Sequence, residues 1–180
     1  MYGGLRLRNT DNRFGLMKGH TYVILFNITG KSSNAPAEVG WTNNHGWGGG
    51  GLTPNPTNVE RNIPSANFNQ STDFPFYYKW TIQDDIYKVC TTAYSSFVKG
   101  TTYLSYRDFI FSFGYADTGS LGTDLYLSNF RLYDITNEPD FSIEKTGVIH
   151  APILYYNDTT VKINKKYDIT HLLANDFYEI

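Results

Sequence analysis

At 180 residues and 41% hydrophobic side chains, the chain can bury one sizeable core, which favours one domain with an appendage over two equal domains. A formal net charge of −2 removes any general attraction to phosphate backbones and argues against nucleic acid as a partner. The single cysteine, Cys90, excludes an intrachain disulfide, and the longest apolar run, Tyr22 to Phe26, is far short of the ~20 residues that a membrane span needs.

Aromatic residues reach 17%, a composition that suits strands and rigid contact surfaces alike. In chain order, Met1-Tyr2-Gly3-Gly4 runs without a secretory leader into Leu5 to Arg8, an alternating first strand, and Asn9 to Asn12 reads as a turn. Thr21 to Thr29 places Tyr22, Ile24, Phe26 and Ile28 on one face with Val23 and Leu25 apolar on the other, the mark of a central strand. Val39 to Thr42 is a short third strand leading into Asn43-Asn44-His45-Gly46-Trp47 and four further glycines, Gly48 to Gly51. Leu52 to Asp73, rich in proline and asparagine and without either period, is predicted to be a long surface loop. Phe74 to Ile82 alternates again as a strand, whereas Ile86 to Gly100 reads as a loop with one helical turn.

The clearest pattern follows. Phe109, Phe111, Phe113 and Tyr115 fall on one side of a strand, Ala116 to Asp124 is loop chemistry, and Leu125 to Tyr133 reads as the return arm of a long hairpin. Simple alternation in that arm sets Tyr126, Ser128, Phe130 and Leu132 against Leu125, Leu127, Asn129 and Arg131. Asp134 to Asp140 is the predicted domain boundary. Residues 141–180 hold only short apolar clusters, too few for a core of their own, so that segment must dock on its own domain or a neighbour.

Little in the chain speaks for catalysis. His20, His45, His150 and His171 lack ligand spacing, Cys90 has no nucleophile signature, and Asp84-Asp85 are adjacent residues whose side chains diverge at a strand end. The glycine run is followed by Leu52-Thr53-Pro54 rather than by the lysine, hydroxyl and helix of a phosphate loop. Glycosylation triplets occur at Asn27, Asn69 and Asn157, the first inside the best strand. The segment with most functional promise is Trp41 to Trp47. Indole faces stack on sugar rings while amide and imidazole groups bond the hydroxyls, which makes Trp47, Trp41, Asn43, Asn44 and His45 the candidate glycan contacts. Core packing competes for Trp41, which follows Val39 at period two.

Leu16-Met17-Lys18-Gly19-His20-Thr21-Tyr22 with the alternating run to Ile28 resembles a strand of jelly-roll carbohydrate-binding modules related to the galactose-binding fold. Tyr126 to Asp134 resembles the closing strand of the same modules, and the likeness covers about residues 5–134. With Gly119 to Gly122 before that strand, the Asn- and Tyr-rich texture is similar to modules of tailed-bacteriophage tail fibres and head fibres. The resemblance implies a virion protein made in the bacterial host cytoplasm. It also implies a structural calcium as an option, for which Asp134 is the one position that maps, although no cofactor is required.

The expectation is therefore an all-β chain: an antiparallel β-sandwich of jelly-roll type over residues 1–140, then an extended C-terminal linker or assembly segment over 141–180. Its expected function is a non-catalytic, glycan-binding module contacting the host surface. The alternatives are a spacer or attachment domain without ligand and, more remotely, a glycoside hydrolase or lyase. Expected partners are a bacterial surface glycan, other virion proteins and further copies of the chain, through strand-like docking of the tail, with no nucleic acid and no membrane insertion.

Overall fold

The computed structural model describes residues 3–32, 36–42, 57–62, 68–93, 97–113, 124–138, 141–142, 151–164 and 177–179. Within them the strands are β1 (Gly3–Arg8), β2 (Thr21–Ser32), β3 (Pro36–Thr42), β4 (Thr57–Arg61), β5 (Phe68–Thr81), β6 (Tyr87–Val89), β7 (Thr102–Leu104), β8 (Asp108–Phe113), β9 (Asp124–Asp134), β10 (Ile153–Asn157), β11 (Val161–Asn164) and β12 (Phe177–Glu179). Among the described residues the one helical element is a 3₁₀ turn at Thr10–Asn12.

Two antiparallel sheets face each other. One has the order β12-β1-β8-β3; the other runs β10-β9-β2-β5-β4, with β11 also on β9. Strands β6 and β7 form a separate hairpin. Each facing strand contributes alternate residues to the space between the sheets, as a half-buried pleated surface requires. Leu7, Trp41, Phe109 and Phe111 come from the first sheet, and Tyr22, Ile24, Phe26, Ile28, Phe76, Tyr78 and Trp80 from the second. Aromatic contacts bridge the layers: Phe26 meets Phe111 at 5.2 Å between ring centroids, Trp41 meets Trp80 at 5.3 Å, and Tyr78 meets Phe109 at 5.2 Å. The chain is thus an all-β antiparallel sandwich.

Central placement of β2 follows from its greasy second face. It lies between β9 and β5, and Val23 and Leu25 are buried on its outer side with Ile135, Tyr77, Tyr133, Phe141 and Ala151. The chain leaving β9 therefore folds back over the outer face of the larger sheet.

Several expectations change. The predicted long hairpin does not form: β8 pairs with β1 and β3, whereas β9 pairs with β2, so the connection crosses from one sheet to the other. Alternation reports one apolar face per strand but not the strand that faces it. Here both Phe111 of β8 and Phe130 of β9 pack on Phe26, one from each side of the core.

The face assignment along β9 also changes. Leu25 pairs with Arg131 and Asn27 with Ser128, so β9 carries one extra residue, and Asn129 there has φ 57°. This bulge switches the inward set from Leu125 and Leu127 to Phe130 and Leu132, all four buried. Asparagine suits the left-handed conformation because its short polar side chain tolerates it.

In the predicted loop over 52–73, Thr57–Arg61 forms β4 and β5 begins already at Phe68. An edge strand needs little apolar periodicity, and this one is blunted by Asn58 at φ 52° and by the charged Glu60 and Arg61. Arg61 donates to the Val39 carbonyl at 3.0 Å, which ties the edge of the second sheet to that of the first. In the predicted loop over 86–100 the described residues hold β6, and the helical turn expected at Ser95-Ser96 lies outside the described residues. Of the apolar residues in that stretch, Ile86 packs on the main core, Cys90 is buried and Phe97 lies 5.0 Å from Tyr103, whereas Tyr87, Val89 and Val98 are exposed.

Of the residues after 140, those described include three strands, and all three pair with the same chain. β10 and β11 run consecutively along the free edge of β9, and β12 pairs with β1.

At Gly40, φ is 142°, and an added Cβ would lie 3.2 Å from the Tyr78 hydroxyl oxygen. Gly40→Ala is expected to destabilise by roughly 1–3 kcal/mol through strain and crowding combined. A urea midpoint equal to that of the unaltered protein would overturn this.

Candidate functional site

Of the five predicted glycan contacts, the structure describes one. Trp41 is 3% exposed, packed against Trp80, Phe109 and Tyr106, because β3 pairs it with the inward-facing Phe109. As a candidate glycan contact it is corrected to a core residue. Asn43, Asn44, His45 and Trp47 lie outside the described residues, as does the glycine run. Thr42, the last described residue before them, pairs with Asp108.

Asp108 belongs to an enclosed charge cluster. Its Oδ2 lies 3.6 Å from Arg6 Nη1 and its Oδ1 3.9 Å from Arg8 Nε, with the aspartate and Arg6 both buried. Burial pushes the Asp108 carboxyl up, against the pull of Arg6, Arg8 and Arg107. Next to it, Asn9 is fully buried and acts as a knot: its amide donates to the Tyr106 carbonyl at 2.9 Å and its oxygen accepts from the Phe14 N–H at 3.0 Å. Satisfied in this way, the buried Asn9 amide fixes the β1–β2 connection.

Asp134, the position mapped to a possible calcium ligand, is already occupied. Its Oδ2 lies 2.7 Å from His20 Nδ1, and its Oδ1 accepts from both the N–H and the hydroxyl of Thr136. Among the described residues no three His, Cys, Asp or Glu side chains gather as a metal would require. Burial alone would raise the Asp134 carboxyl, but the hydrogen bonds from Thr136 and His20 outweigh it and hold the group below the usual carboxylate range. A depressed folded-state value means stability that is present above about pH 4 and lost as pH falls through the folded-state value. Asp134→Asn is therefore expected to lower stability near neutrality and to flatten the acid limb of the urea-midpoint profile. An unaltered acid limb would overturn that assignment.

The carboxylates Asp84 and Asp85 do not converge: Asp84 binds Lys88 at 3.0 Å and Asp85 binds Lys18 at 2.9 Å.

The described surface best suited to a ligand is one that simple alternation misplaced. On the outer face of the larger sheet, Tyr126 is 38% exposed and Tyr156 is 57% exposed. Tyr126 points outward because Leu125 and Leu127 point in. Tyr156 pairs with Arg131, which the bulge at Asn129 turns outward. Lys162 lies across from Tyr126, its Nζ 5.3 Å from the ring centroid. Asn27 and Ser128, directly opposite each other, add polar groups between them. The returning chain at Phe141 and Ala151 covers the neighbouring patch over Val23 and Leu25, which bounds this face on one side. Reading the positive-φ potential of Asn129 would have exposed the switch; the pairing of Tyr156 and Lys162 with β9 had no sequence signal.

The chain matches no family model, no curated protein and no solved structure.

Proposed function

We propose that the chain is a non-catalytic, glycan-binding β-sandwich module of jelly-roll type from a tailed-phage fibre or tail protein that contacts a host surface. The observation that carries the reading is the pair of exposed tyrosines, Tyr126 and Tyr156, held on a rigid sheet face among amide, hydroxyl and cationic groups. Flat, anchored aromatic rings suit stacking on the apolar face of a sugar, and polar neighbours suit its hydroxyls. The phage assignment rests on the Asn- and Tyr-rich texture with Gly119 to Gly122 before the closing strand, which is similar to fibre modules, whereas residues 16–28 and 126–134 resemble jelly-roll carbohydrate-binding modules.

A second reading, a virion spacer or attachment domain without ligand, is favoured by the tail, which puts a strand on the edge of each sheet. A bacterial glycan array separates the two. Reproducible binding that Tyr126→Ala, Tyr156→Ala or Trp47→Ala weakens supports the module reading, and silence across bacterial surface polysaccharides supports the spacer.

A further inference from the structure

We infer that the ladder between β9 and the tail strands is a site for a saccharide chain that carries carboxylates. The inference rests on the glycan-binding reading above and names its place and its ligand class.

Two aromatic–cation pairs stand directly across this one ladder, both on the outer face. Tyr156 of β10 faces Arg131 of β9, and Lys162 of β11 faces Tyr126 of β9. At the strand rise of ~3.3 Å per residue the two pairs are roughly 15 Å apart, the span of a short oligosaccharide. Tyr156 offers a ring face to a sugar, the Lys162 ammonium over Tyr126 leaves the other face of that ring, and the cation nearest Tyr156 across the ladder is Arg131.

Arg131 carries the choice of an acidic ligand. Its Nε donates to the Asn129 carbonyl at 3.3 Å, which orients the guanidinium, and among the described residues it forms no ion pair. A fixed guanidinium presents paired N–H donors whose geometry matches a carboxylate. Two acidic groups near this face are engaged: Glu60 binds Lys79 at 3.2 Å, and Asp73 accepts from Asn27 at 3.4 Å. Asp158 sits in the break between β10 and β11 and sets a limit on how closely a polyanion can approach there. Because Tyr156 and Lys162 belong to the tail, the site exists only when the tail is docked on β9.

The test is isothermal titration of the full chain with oligogalacturonate and alginate oligomers, and with dextran and cellohexaose as neutral chains. Binding of an acidic oligomer that falls at least about tenfold in Arg131→Gln, falls in Tyr156→Ala, and weakens with added salt supports the site. Unchanged thermal midpoints of both variants confirm that the loss is local. Binding of neutral chains but not acidic ones overturns this inference and leaves the glycan-binding reading standing. Acidic binding indifferent to Arg131→Gln and Lys162→Gln also overturns it, since the site would then lie elsewhere. No binding to any of the four probes by a folded chain counts against both.

Discussion

Phe26→Ala is expected to lower the free energy of unfolding by about 3–5 kcal/mol, the range for deleting a fully buried aromatic side chain. Phe26 is wholly buried, and its ring lies 4.5 Å from that of Phe76, 5.0 Å from Phe130 and 5.2 Å from Phe111. Those three residues come from β5, β9 and β8, so one ring holds its two neighbours in the larger sheet and the opposing sheet at once. Three rings cannot collapse together into the gap without moving their strands, which sets the cost toward the upper end. Against a typical total of 5–15 kcal/mol, such a loss removes a large part of the stability. Urea unfolding followed by tryptophan fluorescence measures it, because Trp80 and Trp41 lie in the same core. Tyr126→Ala, on the surface, should change the midpoint little. A loss under about 1 kcal/mol for Phe26→Ala would mean that the two sheets do not meet through this residue.

The parts of the fold that were legible in the sequence are those where one strand's own pattern decides. Tyr22 to Ile28 reads as a central strand because both its faces must be buried, and it is central. What was not legible depends on groups far apart in the chain. Phe111 and Phe130 look like two arms of one hairpin until Phe26 is seen between them. A single bulge at Asn129 inverted the faces assigned to Phe130, Arg131 and Leu132, since a one-residue slip exchanges every inward and outward side chain after it. Edge strand β4 has no apolar signature in the sequence because hydrogen bonding to β5, not apolar alternation, holds it. The candidate site divides in the same way. Residue type alone suits Trp41 to both core and ligand, and pairing with Phe109 decides for the core. Tyr156 and Lys162 gain a place at a site only through their register with β9, which composition does not encode.

Removal of residues 141–180 is expected to destabilise the remaining chain by at least about 3 kcal/mol and to make it self-associate. Besides the pairing of β12 with β1, the tail has three side-chain holds on the body. Val161 is buried in the main core, and fully burying such a side chain contributes roughly 1.5–3 kcal/mol. Tyr155 packs on Phe14 at 5.3 Å, with the Arg13 guanidinium over both rings at 4.8 and 5.5 Å. Phe141 and Ala151 cover Val23 and Leu25, an apolar patch that water would otherwise reach. Without the tail, β9 also loses its partners along Leu125 to Tyr133 and presents a long row of unpaired N–H and C=O groups. An open edge beside an exposed apolar patch is a template for another chain, so the truncated protein should form dimers or larger species where the full chain does not gain mass. Light scattering over a range of concentrations, with urea melts of both forms, measures the two effects together. A second truncation that removes only residues 165–180 keeps β10 and β11, and it should retain most of the stability if the β9 edge is the decisive contact. Equal stability and equal mass for the full chain and the chain lacking residues 141–180 would show that the tail is not bound to the sandwich in solution.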